Sequence, residues 1–130
     1  MITKITHFTL YVSDQNKALE FYTQKLGFKV HTDATFGDMR WLTLHPANQP
    51  DFELVLMKPE TDAEKALVGK QGGKDKPLFT VESTDCTKDY EFLKSQGVKM
   101  LEEVAHQPWG IATSFADPDG NIVYICQPLS

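Results

Sequence analysis

The sequence predicts an α+β fold: two tandem β-α-β-β-β modules whose sheets form a concave cup. Three observations predict it. The stretch HFTLYVSDQNKALEFYTQKLGFKV, His7 to Val30, is written again from Lys76 as KPLFTVESTDCTKDYEFLKSQGVKM. Val12 recurs as Val81, Leu19-Glu20-Phe21-Tyr22 as Tyr90-Glu91-Phe92-Leu93, and Gly27 as Gly97. Each copy changes its apolar period from two to that of a helix, and each is followed by further strand-like runs. A repeat this long is not a solenoid unit but one supersecondary unit duplicated. The modules are placed at residues 4–58 and 76–128, joined by a linker at 59–75, all within one domain of 130 residues.

The elements follow in order. Ile5 to Val12 alternates Phe8, Leu10 and Val12 against His7, Thr9 and Tyr11, which is a half-buried strand. Asp14 suits an N-cap, because its carboxylate can accept the free N–H groups of the next turn. Leu19, Tyr22 and Leu26 then share one helix face, and Gly27 ends the helix from a left-handed position. Phe28 to Thr32, extending toward Phe36, and Met39 to His45 read as strands about a Gly37-Asp38 turn. Phe52 to Lys58 alternates again. Glu60 to Val68 fits a short helix, and Gly69 to Lys76 an exposed, mobile linker whose glycines and lysines do not match phosphate-loop spacing. In the second module Leu78 to Glu82 is a strand. Asp85 caps a helix carrying Cys86, Tyr90 and Leu93 on one face, and Gly97 ends it. Val98 to Val104, Ile111 to Phe115 and Ile122 to Gln127 are strands, the last two joined by the turn Asp117-Pro118-Asp119-Gly120-Asn121.

Composition narrows function. The hydrophobic fraction of 41% and charged fraction of 24% are those of an ordinary globular domain. A formal net charge of −5 without a Lys or Arg cluster argues against nucleic acid as a partner. No apolar run reaches membrane-spanning length. Met1-Ile2-Thr3-Lys4 leads straight into a strand pattern, so no signal peptide is expected, and a cytoplasmic location follows. Cys86 and Cys126 are expected as free thiols.

One sheet face of each module should meet its helix: Phe8, Leu10, Leu54 and Leu56 in the first, Phe79, Val81, Val123 and Ile125 in the second. The opposite faces carry His7, Tyr11, Trp41, Glu53, Lys76, Leu78 and Tyr124. Set side by side, they would make a concave surface with aromatics and a few polar groups, the usual form of a ligand site. His31, His45 and His106 lack partners at ligand spacing and are expected on the surface or in loops.

The strand HFTLYV with His7, the helix and turn ALEFYTQKLGFKV, Phe52-Glu53-Leu54, Pro108-Trp109-Gly110 and Phe115-Ala116-Asp117-Pro118-Asp119-Gly120-Asn121 together resemble the vicinal oxygen chelate superfamily. It includes glyoxalase I, extradiol dioxygenases, and fosfomycin- and bleomycin-resistance proteins. The resemblance covers nearly the whole chain and is specific for the fold, less so for a reaction. It implies metal ligands on the first and last strand of each half. Here these are His7 and Glu53, both good ligands for a divalent ion. Carrying them across by the repeat gives Lys76 and Tyr124, an ammonium without a lone pair and a neutral phenol. Slipping the register by one residue would substitute Asp75 for Lys76.

Two functions of different class follow. One is a small-molecule-binding protein like the bleomycin-resistance proteins, with no metal cofactor, a Glu53–Lys76 ion pair where the metal would sit, and Trp41, Lys76, Trp109, Tyr124 and Tyr11 as ligand-binding residues. The other is a lyase, isomerase or dioxygenase acting on a vicinal-oxygen substrate, with Zn, Ni, Fe or Mn held by His7, Glu53 and a further ligand. Acid–base chemistry by Glu53 and Lys76 is a third. The resemblance also implies a homodimer.

Overall fold

The computed structural model describes residues 1–129 and divides into two compact units, Met1–Val68 and a second beginning at Gly69. The boundary moves the glycine-rich segment out of the expected free linker and into the second unit. Gly69 and Gly72 are packed: a Cβ on Gly69 would stand 2.2 Å from the backbone oxygen of Asp119, and one on Gly72 2.9 Å from the Leu78 backbone. No helix among the described residues is long and apolar enough to cross a membrane.

The first unit is built as expected. β1 (His7–Tyr11) leads into α1 (Gln15–Gln24), followed by β2 (Lys29–Phe36), β3 (Met39–His45) and β4 (Glu53–Met57). Asp14 caps α1, its carboxylate accepting from the Lys17 N–H at 3.0 Å. Gly27, at φ 74°, turns the chain out of the helix, and the Phe28 N–H closes back on the Tyr22 carbonyl. The sheet order is β1-β4-β3-β2, with β1 parallel to β4 and the other pairs antiparallel. Ala18 and Tyr22 of α1 are buried, as are Leu10, Leu42, Leu44, Leu54 and Leu56 of the sheet. Phe8 departs from the expected core and is 37% exposed. The expected short helix after β4 contracts to the single turn α2 (Asp62–Lys65), started by a reciprocal capping box between Thr61 and Glu64.

Arg40 ties the β2–β3 hairpin to α1. It donates from Nε and Nη2 to the two carboxylate oxygens of Asp33, each at 2.9 Å, and from Nη1 to Asn16 Oδ1 at 2.7 Å. The guanidinium holds the Asp33 carboxyl below its ordinary range, and Asp33 in return raises Arg40.

The second unit repeats the plan with one change. Its elements are β5 (Pro77–Glu82), α3 (Cys86–Ser95), β6 (Lys99–Met100), β7 (Ala105–Gln107), β8 (Gly110–Ala116) and β9 (Ile122–Pro128). The order is β5-β9-β8-β6, with β7 also on β8. The expected strand at 98–104 is therefore broken into β6 and β7. Between them Glu102 accepts from Thr113 Oγ1 through its carbonyl (2.8 Å) and from Ser114 Oγ through its carboxylate (3.0 Å), and Glu103 accepts from the Tyr90 hydroxyl (3.0 Å). Side-chain bonds here replace the ladder. Cys86, Tyr90 and Leu93 are buried on one face of α3, as their spacing predicts, above buried Val123 and Ile125.

Candidate functional site

The polar cluster of the first unit grows from the parallel pairing of β1 with β4, which sets His7 opposite Glu53. Their side chains meet, His7 Nε2 to Glu53 Oε2, at 3.1 Å. Thr43, fully buried on β3, donates its hydroxyl to Glu53 Oε1 at 2.8 Å. Trp41 stands two residues earlier on the same strand, its ring 6.3 Å from that of His7 and tilted 45°. His7, Trp41 and Glu53 are thus brought together as their shared sheet face predicts. The Glu53 side chain is only 15% exposed, so its charge depends on these donors.

One member was missed. His31 is exposed, as expected, but it has partners the sequence did not suggest, its Nδ1 lying 3.0 Å from Glu53 Oε1 and 2.8 Å from Thr32 Oγ1. The cause is a register shift in β2: Val30 pairs with Leu44 and Thr32 with Thr43, leaving His31 between them as the extra residue. A bulge of this kind re-aims a side chain. Strict alternation gives His31 no such direction, and nothing in the local sequence signals the bulge. His45 ends β3, with its Nδ1 2.7 Å from the Pro46 carbonyl oxygen.

Tyr11 lies on β1 of the same unit, and the remaining expected residues belong to the second. The Glu60 N–H and then the Thr61 N–H lower the Glu64 carboxyl against the effect of burial, with a smaller contribution from a hydrogen bond of the Tyr11 hydroxyl. Lys76 is exposed and precedes β5, where an irregularity at Pro77 to Phe79 shifts the pairing. The neighbour of Tyr124 on β5 is accordingly Thr80, not Lys76. The Glu53 carboxylate accepts from Thr43 and lies within ion-pair distance of His7 and His31. Tyr124 is pushed up, first by burial and then by the negative charge of Glu102, while a hydrogen bond from Trp109 opposes the rise. Trp109 itself is 54% exposed.

A cavity of about 190 Å³ lies within the second unit, lined by Gly69, Gly72, Asp75, Lys76 and Asn121 among others. Asn121 is 2% exposed, and its side-chain oxygen lacks a hydrogen-bond partner, while its amide and backbone N–H groups are held by Asp117.

The four positions expected to hold a metal differ in their donors. His7 and Glu53 are suitable, but Lys76 and a phenol held in its neutral form are not. Among the described residues no group of three or more His, Cys, Asp or Glu is placed to hold a metal ion. The two imidazole nitrogens nearest Glu53 face its carboxylate.

A duplicated β-α-β-β-β fold with a polar and aromatic cluster on one sheet defines the class of protein. The chain belongs to the Glyoxalase/Bleomycin resistance protein/Dioxygenase superfamily, whose family model matches residues 4–125. The resemblance read from the sequence therefore holds. Two relatives in Bacillus subtilis (strain 168), the uncharacterized proteins YurT and YetH, are 36% identical over 125 residues and 33% over 123. The matches cover 95% and 94% of this chain, and 98% and 96% of the relatives. Among solved structures, UcmS2 is similar with a TM-score of 0.84 and 31% identity, over 97% of this chain and 98% of its own. TnmS3, an antibiotic-binding protein from Streptomyces sp. CB03234, has a TM-score of 0.79 and 29% identity, over 98% of both chains.

Proposed function

We propose that the chain binds a small organic molecule, seated on Trp41 beside His7, His31 and Glu53, without a four-ligand metal site. One observation carries the reading: a nearly buried carboxylate, bonded by Thr43 and within ion-pair distance of two half-exposed imidazoles, shares its sheet face with an aromatic ring. Such a mixture of flat apolar surface and a few fixed polar groups is how proteins recognise small ligands. The similarity to an antibiotic-binding protein supports it. Tyr11, Lys76, Trp109 and Tyr124 belong to the same proposal as further ligand-binding residues, as do a homodimeric state and a cytoplasmic location. The test is a fluorescence titration of the purified protein against a panel of aromatic small molecules, with Trp41→Phe and Trp109→Phe variants separating the two signals. Saturable quenching lost with Trp41→Phe supports the reading. A panel with no saturable member overturns it. Sedimentation equilibrium tests the dimer.

The contact between His7 and Glu53 favours one alternative, a lyase, isomerase or dioxygenase dependent on Zn, Ni, Fe or Mn. Elemental analysis of protein purified without chelator decides it. One divalent ion per chain, lost in His7→Ala, would establish the alternative.

A further inference from the structure

We infer that Glu102, with the phenol of Tyr124 and the indole of Trp109, forms a subsite in the second unit that takes the ammonium group of an organic amine. This rests on the small-molecule reading, which counts Tyr124 and Trp109 among the ligand-binding residues; it adds Glu102 and names the ligand class. The segment between β6 and β7 is fastened to β8. The Leu101 N–H donates to the Ser114 carbonyl at 2.9 Å, Thr113 Oγ1 to the Glu102 carbonyl at 2.8 Å, and Ser114 Oγ to Glu102 Oε1 at 3.0 Å. Thr113 and Ser114 are both buried. Their hydroxyls therefore fix the backbone and the carboxylate of a residue that is itself exposed. Ser114 stands directly opposite Tyr124 in the β8–β9 pairing, so their side chains share a sheet face. Tyr124 lies in the field of Glu102 and is hydrogen-bonded to the Trp109 side chain. The indole has only an N–H to give, so the phenol oxygen accepts. Trp109 is 54% exposed.

The surroundings of the two fixed carboxylates differ. Glu53 accepts from buried Thr43 and has two imidazoles within ion-pair distance. Among the described residues no Lys, Arg or His lies within ion-pair distance of Glu102. Burial, and then the charge of Glu102, push the Tyr124 phenol up, so it keeps its proton at pH 7. The net charge on this face is then that of the carboxylate. An ammonium can donate to the carboxylate in a charge-assisted bond, while the indole and phenol rings offer their faces to its charge and to the carbons that carry it. A hydroxyl in place of the ammonium keeps the shape and loses the charge.

The experiment uses the full-length chain at pH 7 in a Trp41→Phe background, which leaves Trp109 as the remaining tryptophan. 2-Phenylethylammonium and 2-phenylethanol are titrated while the Trp109 fluorescence and its indole N–H resonance are followed. The amine is expected to bind about tenfold tighter, a difference of about 1.4 kcal/mol. Glu102→Gln should bring the two to within about twofold by weakening the amine alone. Glu102→Lys, at the same exposed position, should make the amine the weaker of the two. Ser114→Ala keeps the charge but frees the carboxylate, and should remove part of the preference. An amine preference that survives Glu102→Gln or Glu102→Lys overturns the inference. Equal binding of both probes also overturns it, and saturable quenching of Trp41 by the aromatic panel would then leave the small-molecule reading standing. Binding of neither probe at millimolar concentration refutes the ammonium subsite, while the Trp41 titration judges the wider reading separately.

Discussion

Removing the Glu53 carboxylate tests whether the cluster is a connected unit. Its three polar neighbours are not equal. Thr43 is fully buried, so Glu53→Ala leaves a hydroxyl with neither water nor acceptor, at about 1–3 kcal/mol. His7 and His31 are 43% and 46% exposed and can turn to water, so each adds at most about 1 kcal/mol. Relief from burying a carboxylate that is 15% exposed offsets part of this. We expect Glu53→Ala to destabilise by about 2 kcal/mol. Thr43→Val removes one bond to a charged acceptor that keeps two imidazole neighbours, for about 1 kcal/mol. The double variant has no orphaned hydroxyl, so the two changes should couple by about 1–2 kcal/mol in its favour. Glu53→Gln should cost less than about 1 kcal/mol. Its amide oxygen can still accept from Thr43, and its NH2 meets imidazoles that are half-exposed to water. Urea unfolding followed by Trp41 fluorescence in a Trp109→Phe background reports on the first unit. Additivity within about 0.5 kcal/mol would refute the reasoning.

The remaining predictions concern other groups. Asp33 is lowered by Arg40, so the pair stabilises above the ordinary carboxylate range and its contribution fades as pH falls through the depressed folded value. Since Asp33 is 39% exposed, Arg40→Met should cost roughly 1 kcal/mol or less at pH 7. The gap from the native protein should close only below roughly pH 4 in acid titrations of stability. Cys86 is fully buried, and burial followed by the charge of Asp89 pushes its thiol up. A thiol reagent at pH 8 should therefore titrate the partly exposed Cys126 in the native protein and Cys86 only after denaturant is added. Gly69→Ala meets the Asp119 carbonyl at 2.2 Å and must also hold φ 74°, whereas Gly73→Ala at φ 88° meets open space. Thermal unfolding should show Gly69→Ala losing about 2 kcal/mol or more and Gly73→Ala only about 1.

The architecture was legible because duplication and periodicity are properties of the chain itself. Asp14 and Asp85 cap their helices as their side chains allow, and Cys86, Tyr90 and Leu93 bury the face their spacing defines. What escaped depends on pairing between distant residues. A bulge between Val30 and Thr32 directs His31 to Glu53, and no alternation pattern contains it. The irregularity at Pro77 takes Lys76 off β5, which a uniform repeat offset does not foresee. The break between β6 and β7 comes from bonds of Glu102 and Glu103 to Ser114 and Tyr90, partners that no local window joins.

The two units also show how a repeat diverges while one interaction persists. Thr43 is the fifth residue of the seven-residue β3, and Ser114 is the fifth of the seven-residue β8. Each hydroxyl donates to a carboxylate, Glu53 in the first unit and Glu102 in the second. The carboxylate has moved from the last strand to the segment between β6 and β7, and Tyr124 occupies β9 under the field of Glu102. Placing a carboxylate on β9 by Tyr124→Glu should therefore be unfavourable, and it would not restore the first unit's pattern, because Tyr124 pairs with Ser114 as Val55 pairs with Thr43. It would set a second carboxylate against Glu102, and like charges in a partly buried setting raise the folded-state value of the newcomer. A group so raised destabilises at pH values above its folded value and ceases to as pH falls below the ordinary carboxylate range. Tyr124→Glu should be less stable than the native chain at pH 7, with the deficit shrinking toward pH 4, and Glu102→Gln in the same chain should remove that pH dependence. A deficit unchanged across the range would show lost aromatic packing rather than charge, and the relocated carboxylate would not be what keeps Tyr124 in place.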